Sequence, residues 1–493
     1  MVSSRAGRAL TRQNSLCVLT YIVLLTSTAH AGHAPLVPEP RTLLIRDGEP
    51  EHVVIGTRRG GYFITRDSGA TWSWICEAGV GYDDEEVYPG AFLGNGTLVV
   101  STGFGGLAVS QEGCGWSPWL PRERPFIADI RARRDLDHTV TALEGSHDDA
   151  SGFVNQLWQS SDDARTWEML GSAFAPDTQA VSLAVSDDGA VYVATSGPPG
   201  AELFRSEDSA QSWERALVTS EAGVVPRLIA ASGGDAAHVY LVLDGAQAEG
   251  VATPGDRVVM SVDGGRTFLP LLQAEGDLSA SSLSPDGKRL VVGGHDDGIY
   301  LMVDADRAMA SATLELVSPR RVHALAWGAD QRLYAAGHEA TDGFSVGVSH
   351  DHGRTFSPFF ALCQVAGPLA CPAGSSVGEL CSTSGETGWD VRKEEADSSA
   401  CAADDGTDTY GAASSSAEGN SAAADASGCG LALQHPSDAA NWLLVAALGA
   451  LARRRRAPSS TASVAYSTAG SSCWTNTPSR ASVPASRSTP ERV

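Results

Sequence analysis

Lysine is almost missing from this chain. Lys288 and Lys393 are its only examples, so arginine supplies nearly all of the 35 basic residues. Those residues face 59 acids, for a formal charge of −24. No fold demands the arginine bias, which reads as genome composition. The shortage of positive charge argues against general nucleic-acid or anionic-lipid binding, because an acidic body repels phosphate. No C-x-x-C pair occurs, so the commonest zinc-site spacing is absent. The C-terminal apolar run at 441–452 is well short of the roughly 20 residues that span a bilayer. Aromatics are modest at 7%, yet apolar residues reach 42%, which suffices for a core and argues against global disorder.

The positive charge gathers at the two ends. Arg5, Arg8 and Arg12 precede the apolar stretch Leu16 to Leu25, and Ala29-His30-Ala31 follows with small residues at −3 and −1 of a cleavage site. This order is that of a secretory signal peptide over residues 1–31. Export places the remaining cysteines in an oxidising space where pairing is the default. Near the other end, Gly428-Cys429 precedes a spacer, the apolar run 441–452 and the cluster Arg453 to Arg456. An apolar run stopped by arginines is a stop-transfer arrangement. The three-part pattern at 429–456 resembles the MYXO-CTERM type of C-terminal sorting signal, with a short apolar helix. The resemblance implies that Cys429 is the processed residue and that the segment meets the membrane. Residues 457–493, rich in Ser, Thr, Pro and Ala, extend past the point where that pattern ends and read as disordered.

The middle of the chain is repetitive. An octet of the form S/T-x-D-x-G-x-T/S-W/F begins at Thr65, Ser261 and Ser349, and again at Ser160 and Ser206 with Ala in place of Gly. A degenerate copy runs from Ser110 to Trp116. The octets resemble Asp-boxes, or BNR repeats, of the sialidase-like and sortilin-like propeller superfamily. Their residue types have a turn logic. Asp67, Asp162, Asp208, Asp263 and Asp351 accept hydrogen bonds from nearby N–H groups and pin a tight turn. The Gly or Ala takes a positive φ. Trp72, Trp167, Trp213, Phe268 and Phe356 start the next strand and bury a ring between sheets. All ten positions are therefore read as structural, with no catalytic assignment.

Spacing yields the architecture. The acidic positions fall at 67, 112, 162, 208, 263 and 351, in steps of about 45–55 residues and one of about 88. A step near 45 is one four-stranded blade, and the long step is two blades with one octet lost around Asp304 and Asp306. Short β-rich runs such as Val53–Thr57, Val191–Thr195 and Leu333–Gly337 precede the boxes, as expected of an all-β fold. The prediction is an all-β, seven-bladed β-propeller over 32–381. The seventh blade ends near 362, residues 33–50 lend a strand to that last blade, and a Cys-rich cap ends at Cys381. Residues 382–428 form an acidic, flexible stalk in which Arg392 and Lys393 are the only basic residues and Trp389 the only large apolar landmark.

Cys76 follows Trp72 closely and Cys114 lies in the second octet, so a Cys76–Cys114 bridge between adjacent blades is the expected pairing. Cys363, Cys371, Cys381 and Cys401 admit three pairings that sequence does not separate. The resemblance raises a sialidase-like hydrolase, but the family's early Arg-Ile-Pro segment is absent; Pro40-Arg41-Thr42 and Ile45-Arg46 are the nearest matches. No Tyr–Glu pair can be assigned either. His147-Asp148-Asp149 and Gly294-His295-Asp296-Asp297-Gly298 read as solvated turns rather than metal sites, and Arg131 to Asp135 as a salt-linked loop. No cofactor or metal is expected, the binding residues are not identifiable, and the propeller reads as a monomer. The sequence favours a surface-tethered propeller that binds a protein or glycan without catalysis. A glycoside hydrolase on the same scaffold and an envelope assembly factor are its rivals.

Overall fold

Why the central strands read as unbroken apolar runs becomes plain once each sheet is sandwiched between two others. Seven four-stranded antiparallel meanders occupy 39–75, 90–119, 127–174, 179–219, 225–273, 280–318 and 324–360, and form a seven-bladed β-propeller. This computed structural model describes residues 38–82, 88–133, 136–148, 152–231, 238–245, 255–309, 311–382 and 388–398. The signal segment, Cys401, Cys429, the sorting segment and the tail lie outside the described residues. Within a blade the strands run from inner to outer in chain order. Second strands such as Val53–Arg58, Val191–Gly197 and Val239–Asp244 are buried on both faces, as sheets covered on both sides require. Outer strands such as Glu214–Thr219 hold no buried residue. No helix among the described residues is long and apolar enough to cross a membrane.

The octets all occupy the third-to-fourth strand connection, at one end of the propeller. Each Asp Oδ1 accepts from the hydroxyl two residues earlier and from the N–H four residues later. For Asp263 these donors are Ser261 Oγ at 2.6 Å and Thr267 N at 2.9 Å, while Oδ2 takes Thr267 Oγ1 at 2.6 Å. Asp67, Asp162, Asp208 and Asp351 repeat the pattern. Gly69, Gly265 and Gly353 stand at φ +87°, +87° and +92°, and Ala164 and Ala210 reach 59° and 61°. The Ser212 hydroxyl and N–H hold Asp208 at about 2. Slight burial of Asp263 and Asp351 is outweighed by the same kind of donors, leaving both at about 2. In the sixth blade, which lacks an octet, the 3-10 turn Ala305–Arg307 takes its place; Tyr240 Oη donates to Ala305 O at 2.6 Å.

Ring closure departs from expectation. Glu39–Ile45 is the inner strand of the first blade and pairs with Val53–Arg58, so the seventh blade is complete without it. The inner strands Glu39–Ile45 and Ala324–Trp327 pack side by side across the seam. The chain's return instead adds a fifth strand, Val365–Pro368, parallel to Trp72–Ile75 on the outer edge of the first blade. That addition pairs an otherwise bare sheet edge.

The cysteine pairing is also corrected. Cys76 joins Cys381 and Cys114 joins Cys371, so no bridge links Cys76 to Cys114. Cys363 is disulfide-bonded as well. The C-terminal cap comes between the first two blades: Val377 N donates to Cys114 O at 3.1 Å and Ser376 Oγ to Gly79 O at 2.7 Å. Gly79 permits this, since a Cβ there would stand 2.8 Å from Cys381 Sγ. The stretch read as a flexible stalk opens with a helix, Trp389–Ser398, and the Trp389 ring packs 5.8 Å from that of Trp74.

Candidate functional site

Second-to-third strand hairpins and blade-to-blade crossings gather at the end of the propeller opposite the octets. Two features of this face stand out. The first is a hollow of about 590 Å³ at the fifth and sixth blades, lined by Asp244, Asp256, Glu275, Asp277 and Asp296, with Arg227 the cation among them. Asp256 is buried and takes Gly245 N at 2.9 Å and Leu278 N at 2.7 Å, which ties the end of one strand to the next crossing. Asp297 takes Glu275 N at 3.0 Å and Gly276 N at 2.7 Å and fixes the rim. Burial pushes the Asp244 carboxyl above its ordinary range; Arg227 opposes this, while Asp256 and Asp277 add to it. No aromatic side chain is among the described residues that line the hollow.

The second feature lies on the seam between the sixth, seventh and first blades. Gly294 and Gly298 bound a tight turn in the sixth blade. A Cβ at Gly294 would stand 1.6 Å from Asp277 O, and one at Gly298, already at φ +83°, 2.4 Å from Ser318 O. Only glycine lets the hairpin press so close to the neighbouring crossings. Val322 N donates to Gly294 O at 3.0 Å, which brings the next crossing alongside, and His323 N donates to Ala336 O at 2.8 Å. As a result His295, His323 and His338 converge. Each offers a ring nitrogen, and the three lie within 4.8 Å of one another. His323 Nε2 is 3.1 Å from His338 Nε2 and 3.1 Å from Glu39 Oε1. Arg41 Nη2 donates to Glu39 Oε2 at 2.6 Å, and Arg41 Nη1 is 3.3 Å from His323 Nδ1.

His323 is 5% exposed, and that burial, aided by Arg41, depresses its imidazole to about 4. Burial would raise Glu39, but the Arg41 hydrogen bond and charge bring it below the usual carboxylate range. His295 Nδ1 is buried without a hydrogen-bond partner. The turn read as solvated therefore holds part of a three-histidine cluster. His147 instead ends a strand and its ring meets Phe153 edge-on. Arg131 lies in the strand Ile127–Ala132, donating to Asp129 Oδ2 at 3.0 Å and to Leu183 O at 2.8 Å.

The octet residues are at the far end and do not enter either feature. Their carboxylates are committed to turn hydrogen bonds. Trp72 is fully buried, while Trp167, Trp213, Phe268 and Phe356 are partly buried against the core.

No protein-family model matches the sequence, and no curated protein matches it. Among solved structures, the chain is similar to an ancestral GH74 enzyme, with 15% identity over 66% of this chain and a TM-score of 0.47. It spans 50% of that enzyme's length. Hydrazine synthase of Kuenenia stuttgartiensis matches over 66% of this chain and 99% of its own, at 11% identity and a TM-score of 0.48. YCF48 bound to a D1 peptide matches over 61% of this chain and 89% of its own, at 14% identity and a TM-score of 0.41.

Proposed function

We propose that this chain is an exported Asp-box propeller that binds a protein ligand through a basic segment, using the face opposite its octets. The observation that carries this reading is the hollow in which, among the described residues, five carboxylates face one cation, Arg227. Such a surface attracts lysine and arginine side chains and speeds their encounter. Full-chain protein titrated calorimetrically with an arginine-rich peptide is expected to bind it with an affinity that falls as salt rises. The Asp244→Asn/Asp277→Asn double variant should weaken that binding roughly tenfold, in line with a loss of charge complementarity. Equal binding by the variant, or a glycan array that responds where peptides do not, would overturn the reading.

A second reading has its own support. Burial pushes the Asp244 carboxyl up while Asp256 and Asp277 lie close by, and a carboxyl inclined to hold its proton beside other carboxyls suits the general acid of glycoside hydrolysis. Release of reducing sugar from a polysaccharide by the full chain, abolished in Asp244→Asn, would favour the hydrolase.

Export is supported by the long-range disulfides, which persist in oxidising compartments. The segments at 1–31 and 429–456 supply the route and the tether, with Cys429 as the processed residue. The mass of the mature protein should therefore lack residues 1–31 and the end of the chain. An intact terminus at Val493 with unmodified Cys429 is incompatible with the tether.

A further inference from the structure

We infer that His295, His323 and His338 form a binding site for a divalent transition ion of the zinc class, with Glu39 as the fourth ligand. The inference is independent of what fills the acidic hollow. Three imidazoles suit zinc, copper and nickel, whereas calcium and magnesium prefer all-oxygen shells. Around a tetrahedral zinc with bonds of about 2.0–2.1 Å, neighbouring ligand atoms stand about 3.3 Å apart. The pairs His323 Nε2–His338 Nε2 and His323 Nε2–Glu39 Oε1, both 3.1 Å, already stand close to that spacing. The third imidazole is within 4.8 Å, so a modest rotation of the His295 ring in its surface turn completes the set.

The polar accounting points the same way. His295 Nδ1 is buried and unpartnered, a cost that a ligand would remove. Two ring nitrogens facing each other at 3.1 Å can share only one proton, which leaves a lone pair directed between them. The carboxylate is already oriented, because Arg41 holds Glu39 Oε2 and leaves Oε1 toward the histidines. Arg41 Nη1 faces His323 Nδ1. For Nε2 to bind metal, the imidazole proton moves to Nδ1 and the guanidinium turns fully onto Glu39. The Nε2–H bond breaks and an Nδ1–H bond forms, one proton leaving and one arriving through water, so the imidazole stays neutral and the charge balances.

The position has a structural consequence. The ligands come from a hairpin of the sixth blade, the crossing into the seventh, a hairpin of the seventh and the inner strand of the first. An ion there would clasp the ring at its seam, on the end opposite the octets.

The test uses the full chain, stripped with a chelator and titrated with Zn(II) and, separately, Co(II). One Zn(II) per chain is expected, with Co(II) giving the intense visible d–d bands of a four-coordinate site. The His295→Ala/His338→Ala variant should lose roughly tenfold or more in Zn(II) affinity and the Co(II) bands. Its far-ultraviolet spectrum should match that of the stripped wild type, and His338→Gln provides a milder change should the double variant misfold. Failure of the wild type to bind Zn(II), binding unchanged in the variants, or octahedral Co(II) spectra would each overturn the assignment.

Discussion

Replacing all four of Cys76, Cys381, Cys114 and Cys371 by serine should destabilise the propeller by more than the sum of the two single-bridge removals. The two bridges are nested, spanning separations of 305 and 257 residues. While the Cys114–Cys371 bridge stands, the Cys76–Cys381 bridge closes only the stretches 76–114 and 371–381, on the order of 50 residues in all, which corresponds to about 3–4 kcal/mol. Once both are gone, the closure of more than half the chain is lost too, and the total rises to about 9–10 kcal/mol on the same chain-entropy basis. Chemical denaturation of the wild type, the two Cys-pair variants and the quadruple variant reads this directly. Strict additivity, or single losses below about 1 kcal/mol, would mean that the cap holds through packing and that the bridges add little.

The second large effect belongs to Trp72. It is 1% exposed, with its ring 4.6 Å from that of Phe360 and edge-on to Phe359 at 5.5 Å. Those two phenylalanines come from the last strand of the seventh blade, so Trp72 joins the first blade to the last. Trp72→Ala should cost about 3–5 kcal/mol, the usual range for a buried large-to-small change. Trp213 occupies the same octet position but is only partly buried, so Trp213→Ala should cost clearly less. The unfolding midpoints of the two variants at equal denaturant slope decide the matter. Equal losses would show that octet aromatics act locally and that the seam has no special weight. The difference has a physical origin: Val365 pairs with Trp72, so the fifth strand covers an aromatic that other blades leave at their rim.

The blade count was legible because an octet is local. Ser, Asp and Thr at fixed offsets satisfy one another within eight residues, so the motif survives in one dimension, and its spacing counts blades. The lost sixth octet was legible by arithmetic alone. Closure was not. The strand Val365–Pro368 has no marker that distinguishes a parallel edge addition from a coil, and β-propensity is silent about partners. The bridge pairing failed for a related reason: neighbouring octets suggested neighbouring cysteines, while the true partners come from a cap that crosses two blades. Trp389 could be singled out in sequence, but not the surface that receives it.

The three histidines were least legible. His295 and His338 adjoin glycines that mark turns and look solvated, His323 stands between Val322 and Ala324 in an apolar run, and the gaps between the three follow no metal spacing. Only the shared end of three successive connections, pressed together through Gly294, makes them neighbours. The one cue available was glycine on both sides of the 294–298 turn, which signals close backbone approach but says nothing of its purpose. The acidic hollow was legible only as a net charge. Asp244, Asp256, Glu275, Asp277 and Asp296 come from several connections, and the fold alone turns a diffuse excess into a local one.

The nested bridges also set the order of synthesis against the order of pairing. Cys76 and Cys114 are both made early, whereas their partners follow only after 305 and 257 further residues. Until Cys371 and Cys381 emerge, the first oxidant to reach the chain finds Cys76 and Cys114 with each other as the nearest choice, and the strand Trp72–Ile75 with its outer edge bare. The blade made first is thus the last to be finished, since its outer edge and its cysteine wait for the end of the propeller to return.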